Sequence, residues 1–88
     1  MTVEFYGRVR ELTNGEKIYN PLDDTHSALR GLLSEMGSYY GESFRSFISG
    51  KENCLVLLNG KGIMLSGGLD TPLFHGDRIE ILPFVEAG

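Results

Sequence analysis

The segment that decides the fold reads Arg78-Ile79-Glu80-Ile81-Leu82-Pro83-Phe84. Its first residues alternate between charged and apolar side chains, and successive side chains of a strand point to opposite faces. The alternation therefore predicts a strand with Ile79 and Ile81 on one face. Proline has no N–H to donate to a ladder, so Pro83 limits how far this closing strand pairs. The turn signal His75-Gly76-Asp77 marks its start.

A continuous apolar run, Cys54-Leu55-Val56-Leu57-Leu58, lies upstream of the closing strand. A short run of this kind is typical of a central strand that is covered on both faces. The dipeptide Asn59-Gly60 then predicts a tight turn, and residues 63–65 predict a short strand or a bend. Two turn-rich stretches, Ser66-Gly67-Gly68 and Asp70-Thr71-Pro72, fill the distance to the closing strand.

A helix near residues 25–37 is predicted by apolar side chains spaced i, i+3, i+4 and i+7. These side chains are Leu29, Leu32, Leu33 and Met36. Gly37 is the predicted C-cap. The side chains that offer N-terminal capping and first-turn negative charge are Asp23, Asp24, Thr25 and Ser27.

Residues 38–53 leave two structures open. The large apolar residues of this segment are Tyr39, Tyr40, Phe44, Phe47 and Ile48, and glycines interrupt them. A short helix near Glu42–Ile48 fits the pattern, and so does an ordered loop that lays the aromatic rings over the core. In both cases the aromatic residues are more typical of a core or a lid than of a ligand site.

The N-terminal residues predict a β-hairpin. Val3 and Phe5 share one face of an extended segment that we expect to run to about Arg8. Asn14-Gly15 is a turn signal, and residues 16–20 read as a second strand. The order strand, strand, helix, strand, short strand, strand predicts one helix on one face of a mixed sheet. The first and last strands can lie parallel at its centre, which is the α+β ubiquitin-like β-grasp arrangement, although periodicity alone also permits other α+β folds.

Size and composition restrict the function. A chain of 88 residues provides one domain, and a carrier, an adaptor or a subunit of a larger enzyme fits it better than a self-contained enzyme. The net charge is −4 and the basic side chains are scattered, which disfavours nucleic acid as a partner. The acidic balance suits a basic protein partner and plain solubility equally well.

The single cysteine, Cys54, cannot form an internal disulfide or a multi-cysteine zinc site, and we interpret it as a buried apolar side chain. His26 and His75 lack a Cys/His cluster, so no metal site is predicted. No stretch reaches the roughly 18 apolar residues of a membrane span, and no signal peptide is visible. We expect a soluble, cytoplasmic protein with no tightly bound cofactor.

The order of motifs in the C-terminal half resembles that of a known family. Residues 58–60 (Leu-Asn-Gly) are followed by residues 67–73 (Gly-Gly-Leu-Asp-Thr-Pro-Leu), by residues 76–81 (Gly-Asp-Arg-Ile-Glu-Ile) and by Pro83. Together with the opening residues 5–12 (Phe-Tyr-Gly-Arg-Val-Arg-Glu-Leu), they are similar to the molybdopterin synthase small subunits and ThiS-like sulfur carriers. This MoaD-like family includes the small archaeal modifier proteins.

The C-terminal residues depart from the pattern of that family. Its members usually end in two glycines, whereas Ala87 precedes Gly88 here, and Phe84 stands where a second proline is common. A tolerated variant, a missing glycine and a lost carrier activity are the three interpretations left open.

The resemblance implies chemistry at the carboxylate of Gly88. A ubiquitin-activating-type adenylating enzyme (MoeB/ThiF-like) would use ATP to adenylate this group, and sulfur would displace AMP to leave a thiocarboxylate. The sulfur would pass to the large subunit of molybdopterin synthase (MoaE-like) or to another acceptor, in molybdenum or tungsten cofactor biosynthesis. A terminal glycine suits this chemistry because no side chain hinders the carbonyl.

The expected organisation is a β-grasp domain over residues 1–84 and a flexible tail over residues 85–88. Val85, Glu86 and Ala87 would bind in the channel of a partner, and Phe84 would be the apolar anchor of a docking patch around the closing strand, unless it completes the core. Two other functions stay open. In the first, the chain is a protein modifier conjugated to lysines through the same terminus. In the second, it is a β-grasp interaction module without terminal chemistry.

Overall fold

The computed structural model describes residues 1–21, 27–49, 54–63 and 68–83 of the chain. The strands are β1 (Thr2–Phe5), β2 (Ile18–Tyr19), β3 (Cys54–Leu58), β4 (Lys61–Gly62) and β5 (Arg78–Pro83). The helices are α1 (Val9–Leu12), α2 (Leu29–Tyr40) and α3 (Glu42–Ser49), and a short 3-10 helix covers Gly68–Asp70. Within these residues the strands form one sheet in the order β2-β1-β5-β3-β4.

The pairing of the first and last strands confirms the predicted topology. β1 and β5 are parallel at the centre of the sheet, with Val3 opposite Ile79 and Phe5 opposite Ile81. β2 pairs with β1, and β3 pairs with β5 and with β4, all antiparallel. A mixed sheet of this order with its main helix on one face is the ubiquitin-like β-grasp, an α+β fold.

The core lies between one face of the sheet and the helices. Val3, Phe5, Ile79 and Ile81 are fully buried, as the alternation of the two central strands predicts. They pack in one cluster with Leu29, Leu32 and Met36 of α2 and with Phe44 of α3. Full burial of such side chains contributes roughly 1.5–3 kcal/mol each, so these central positions hold the domain together.

The start of α2 differs from the prediction. The helix begins at Leu29, after an N-cap at Ala28 whose side chain makes no capping hydrogen bond. The N–H of Leu29 is satisfied by the carbonyl of Thr71 instead, at 3.0 Å. Residues 23–25 lie outside the described residues, and Ser27 precedes the N-cap. A distant loop supplies the acceptor that we expected from a local side chain.

The end of α2 also differs. Gly37 is buried inside the helix and is not its C-cap, which is Gly41 with φ of +100°. The N–H of Gly41 donates to the carbonyl of Gly37 at 2.9 Å. A Cβ on Gly37 would come within 3.1 Å of the Nε of Arg45 in α3. The glycine therefore leaves room for the Arg45 side chain of α3, which sequence periodicity does not reveal.

The segment after α2 resolves the choice left open between helix and loop. Residues Glu42–Ser49 form α3, with Phe44 fully buried in the core. Tyr40, Phe47 and Ile48 are half-buried and pack against the core, as predicted for core or lid residues. Tyr39 departs from this pattern, because 59% of it is exposed.

The N-terminal strand is shorter than predicted. β1 ends at Phe5 and does not reach Arg8, because Gly7 takes a positive φ of +57° and a helical turn, α1, follows. That turn brings Val9 into the core, where it is fully buried. The predicted hairpin is confirmed, with α1 inside its connection.

The turn at Asn59-Gly60 is confirmed, since both residues have positive φ, at +51° and +88°. The prediction that β3 is covered on both faces is only half right. Cys54 and Val56 face the core and are buried, whereas Leu55 and Leu57 on the opposite face are half-buried. The outer face of the sheet is therefore apolar and partly accessible at Leu55 and Leu57.

Candidate functional site

The closing strand β5 lies between β1 and β3 in the sheet. It is held by β1 on one side, from Arg78 to Ile81, and by β3 on the other, from Ile79 to Pro83. The predicted site residues follow directly. Phe84, Val85, Glu86, Ala87 and Gly88 all lie outside the described residues, so their roles stay predictions.

The last described residue, Pro83, is fixed by close contacts on both sides. Its ring contacts Gly7, where a Cβ would come within 2.9 Å of the Pro83 Cγ. Gly7 also has φ of +57°, a conformation that favours glycine. The preceding N–H, that of Tyr6, donates to the carbonyl of Ile81 at 3.0 Å. Pro83, the last described residue of β5, therefore lies beside the β1–α1 connection.

Cys54 lies opposite Pro83 on the neighbouring strand. Its side chain is buried in the core, and burial raises the pKa of its thiol above the ordinary value. A thiol with a raised pKa is a poor nucleophile at neutral pH. Its burial confirms the interpretation of Cys54 as a buried apolar side chain.

The outer face of the sheet, opposite the core, carries an apolar strip. We call Leu55, Leu57 and Leu82 the leucine strip. Leu55 lies directly opposite Leu82 in the β3–β5 ladder, and all three side chains are half-buried. Opposed side chains of an antiparallel pair are close enough to touch, so the strip forms one apolar surface that reaches to within one residue of Pro83.

A polar network borders the leucine strip. Glu4 and Glu80, here called the carboxylate pair, lie opposite each other in the parallel β1–β5 register. The hydroxyl of Tyr6 donates to Glu4 Oε1 at 2.8 Å. The guanidinium of Arg78 lies 3.6 Å from Glu4 Oε2 and 3.5 Å from Glu80 Oε1. The carboxylates of Glu4 and Glu80 therefore both lie near the guanidinium of Arg78 and near the hydroxyl of Tyr6.

The carboxylate pair raises the pKa of Tyr6 to about 12. The main cause is the hydrogen bond to Glu4, followed by that to Glu80, because both bonds favour the neutral phenol. The guanidinium of Arg10 lies 5.9 Å from the centre of the Tyr6 ring and donates to the carbonyl of Phe5 at 2.9 Å. The phenol is thereby held over the sheet between cation and carboxylates.

Replacing Glu4 by Gln is expected to lower the pKa of Tyr6 from about 12 toward 10, because the main acceptor loses its charge. The pH titration of the Tyr6 ring signal by NMR measures this. Glu11→Gln, on the exposed side of α1, is the matched control and should leave the titration unchanged. An unaltered Tyr6 titration in Glu4→Gln would contradict the network.

Neither histidine that the sequence analysis considered is placed in a metal-binding cluster by the described residues. His75 lies exposed in the predicted turn, where Asp77 N–H donates to the carbonyl of Phe74 at 3.1 Å. His26 lies outside the described residues. In the part of the chain that the structure describes, no group of three or more His, Cys, Asp and Glu side chains could hold a metal ion.

An open concavity of about 310 Å³, lined by Arg8, Glu11, Leu12 and Phe47, lies between α1 and α3. None of the helices among the described residues is both long and apolar enough to cross a membrane.

Sequence reasoning missed the carboxylate pair. Glu4 and Glu80 each alternate with buried residues, which signals an outer-face position. No local sequence signal indicates that β1 and β5 are neighbours or that Glu4 and Glu80 are in register. The only available signal is the β-grasp topology combined with the length of both strands.

The parallel central strands, the helix on the core face and a closing strand that leads into the C-terminal segment define a ubiquitin-like β-grasp domain of the carrier and modifier class. The chain belongs to the ThiS family, whose sequence model matches residues 3–88. No curated protein sequence matches the chain.

Solved structures support this assignment. CysO of Mycobacterium tuberculosis is 26% identical with a TM-score of 0.75, and the match covers 96% of this chain and 98% of that one. The small archaeal modifier protein 1 of Methanosarcina acetivorans is 29% identical with a TM-score of 0.69, covering 99% and 94%. A complex of subunits 1 and 2 of the molybdopterin-converting factor from Helicobacter pylori matches at 26% identity with a TM-score of 0.60, covering 99% and 96%.

Proposed function

We propose that this protein is a ubiquitin-like sulfur carrier whose Gly88 carboxylate is adenylated and converted to a thiocarboxylate, which donates sulfur in molybdopterin biosynthesis. The observation that carries the proposal is the match to the ThiS family, which runs through Gly88. The molybdenum or tungsten cofactor is favoured as the product because the Helicobacter pylori complex of molybdopterin-converting factor subunits is among the similar structures.

The reaction needs activation because a free carboxylate is a poor electrophile. ATP and the carboxylate of Gly88 give an acyl-adenylate and pyrophosphate, and a sulfur nucleophile then displaces AMP. The product carries one sulfur in place of one oxygen. The adenylating enzyme, which we expect to be MoeB/ThiF-like, supplies the catalytic groups, and this chain supplies an unhindered terminal carbonyl.

The domain presents the terminal residues rather than acting on them. Pro83, at the end of β5, packs beside Gly7, and in this proposal Val85, Glu86 and Ala87 span the distance from there to the partner's active site. Ordering these residues costs roughly 1–2 kcal/mol of backbone entropy each. Hydrogen bonds from the partner's channel to the extended backbone must offset that cost.

Two protein partners follow, because the catalytic groups come from other proteins and this chain supplies the terminal carboxylate. The adenylating enzyme comes first, and the large synthase subunit (MoaE-like) or another sulfur acceptor comes second. We place their docking patch around the closing strand, because a partner that takes the terminal segment also meets the surface next to β5. The leucine strip reaches the end of β5, and Phe84 follows Pro83 directly, which makes Phe84 the proposed apolar anchor.

Phe84→Asp is expected to abolish binding of the adenylating enzyme and to leave the fold intact, because a charge replaces the anchor of the patch. Calorimetric titration measures the binding, and circular dichroism checks the fold. Phe74→Asp is the matched control, since Phe74 is 67% exposed and precedes the opposite end of β5. Unfolding of the Phe84 variant would show that this ring completes the core instead.

A second function is favoured by the likeness to the small archaeal modifier protein 1, at 29% identity. A protein modifier uses the same adenylation but transfers Gly88 to a lysine amine. Isopeptides between Gly88 and lysines of other proteins, found by mass spectrometry, would support it. The sulfur-carrier proposal is tested by the intact mass of the chain after incubation with adenylating enzyme, ATP and a sulfur donor.

A further inference from the structure

Strand β2 forms one edge of the sheet, and part of its backbone is directed away from the other strands. The N–H of Phe5 in β1 donates to the carbonyl of Lys17 at 2.8 Å. Pairs along an antiparallel ladder alternate between hydrogen-bonded and non-hydrogen-bonded, so the next pair, Glu4 with Ile18, is not bonded. The N–H and the carbonyl of Ile18 therefore point away from β1, to a side where no described strand lies.

The open part of this edge begins at Ile18. Two residues earlier, the N–H of Glu16 donates to the carbonyl of Thr13 at 2.9 Å. The carbonyl of Glu16 accepts from the Oγ1 of Thr13 at 2.8 Å. Both backbone groups of Glu16 are therefore used inside the turn that precedes β2, whereas those of Ile18 are available to an added strand.

Apolar side chains flank the open edge on both faces of the sheet. Ile18 and Tyr39 are both more than half exposed. Tyr19 is buried on the core face, so Ile18, its neighbour in the strand, points to the opposite face. Tyr39 of α2 lies on the core side, with its ring centre 5.4 Å from that of Tyr19. The other edge strand, β4, consists of Lys61 and Gly62 and provides no apolar side chain.

Hydrogen bonds hold the aromatic rings beside this edge in place. The hydroxyl of Tyr19 donates to Glu35, and that of Tyr40 donates to Glu16 Oε1 at 2.7 Å. The ring of Tyr39 contacts both of these rings, with its centre 4.8 Å from that of Tyr40. An aromatic surface that is already fixed loses little conformational entropy when a partner binds.

The charge at the edge favours one kind of partner. Lys17 directly precedes Ile18, is exposed and forms no ion pair within the described part of the chain. An acidic residue opposite Lys17 on an added strand supplies the counter-charge, and cross-strand pairs of opposite charge are stabilising. A second copy does not supply it, because a two-fold antiparallel pairing about Ile18 brings the two Lys17 side chains to diagonal positions about 7–8 Å apart.

We propose that the edge of β2 binds an extended segment of another protein as an additional strand, whose apolar side chains pack on Ile18 and Tyr39 and whose acidic residue faces Lys17. The backbone of Ile18 provides one donor and one acceptor, as in strand addition to other exposed sheet edges. In the antiparallel arrangement the segment reads apolar, apolar, acidic, opposite Tyr19, Ile18 and Lys17 in turn. This inference goes beyond the proposed function, because the edge does not use Gly88.

The test uses a synthetic peptide of sequence Ser-Thr-Val-Ile-Asp-Ser-Gly, acetylated and amidated at its ends, which is titrated into the full chain and followed by NMR. The amide signal of Ile18 should shift saturably, and hydrogen exchange of this N–H should slow, because it gains an acceptor. A matched peptide with N-methyl-isoleucine lacks the donor to the carbonyl of Ile18. It should bind about tenfold more weakly, as expected for the loss of one hydrogen bond.

Variants of the chain test the two contact types separately. Ile18→Pro removes the outward N–H, which the β1–β2 bonds do not use, and proline is tolerated at such edge positions. It should weaken binding of the peptide about tenfold. Tyr39→Ala removes the apolar surface on the core side and should have an effect of about the same size. Leu69→Ala, an exposed apolar residue of the 3-10 helix, is the matched control and should bind as the parent does.

The predicted charge pair is tested by exchanging the charges. Lys17→Glu should weaken binding of the peptide about threefold, the size typical of an exposed ion pair. A peptide with Lys in place of Asp should show the reverse preference and bind Lys17→Glu better than the parent. Unchanged thermal unfolding of each variant keeps a fold defect out of the comparison.

Three results would overturn the inference. The first is an Ile18 amide signal that the peptide does not move. The second is equal binding of the parent peptide and its N-methylated form, which would mean that only apolar contact is made. The third is a concentration-dependent dimer of the chain that Ile18→Pro abolishes while the peptide does not bind, because a second copy would then occupy the edge.

The inference and the proposed function fail separately. Deletion of Gly88 should leave binding of the peptide unchanged, since no adenylating enzyme takes part in the titration. A chain that acquires sulfur but does not bind the peptide retains the carrier function and loses the edge site. A chain that binds the peptide through Ile18 but acquires no sulfur retains the edge site and loses the carrier function.

Discussion

Deletion of Gly88 is expected to abolish thiocarboxylate formation and to leave the free energy of unfolding unchanged. The buried core of the described residues runs from Val3 to Ile81, so removing the terminal residue takes nothing from it. The deletion leaves Ala87 as the terminus and places a methyl group beside the reacting carbonyl. Intact-mass measurement after reaction should show a gain of about 16 Da for the full chain, from exchange of one oxygen for sulfur, and none for the deletion.

An added glycine after Gly88 serves as the companion variant, because it restores the two terminal glycines that the family resemblance implies. Gain of sulfur by both forms makes Ala87 a tolerated variant. Gain by the extended form alone means that the chain ending at Gly88 is trimmed or inactive. If neither form is adenylated by a co-occurring activating enzyme, the sulfur-carrier proposal fails and the interaction-module hypothesis replaces it.

The central architecture was predictable because periodicity records which face of an element is buried. Ile79 and Ile81 alternate with polar residues, and Leu29, Leu32 and Met36 follow a helical spacing. All of these side chains are buried. A register shift of one residue would expose the apolar side chains of a strand, so the pattern alone fixes much of the packing.

The helix ends were not predictable, because contacts between distant segments set them. The first N–H of α2 is satisfied by the carbonyl of Thr71, which belongs to the loop before β5. Gly37 reads as a C-cap from the sequence, yet it admits Arg45 of the next helix. In both cases a contact with a distant segment, and not a local sequence signal, sets the structure. Helix α1 was not predicted because Val9 fits a strand pattern as well as a helical turn.

The candidate site also has one part that could be predicted from the sequence and one part that could not. The terminal residues Phe84 to Gly88 could be named from the sequence because they follow motifs that resemble those of a family, and they lie outside the described residues. The carboxylate pair could not be named, because only the register of β1 with β5 brings Glu4 and Glu80 together. Glu4 and Glu80 are thus brought together by the topology of the sheet and not by a local sequence pattern.

Leu32→Ala is expected to destabilise the domain by about 2–5 kcal/mol, the range found for truncation of buried leucines. Leu32 is fully buried on the core-facing side of α2, and a small domain has only about 5–15 kcal/mol of stability in total. Urea denaturation followed by circular dichroism measures the change. Leu33→Ala is the matched control, since it removes the same atoms from the next, half-buried position of the same helix and should cost clearly less. A loss below about 0.5 kcal/mol for Leu32→Ala, the size typical of surface substitutions, would show that α2 does not cover the sheet through this residue.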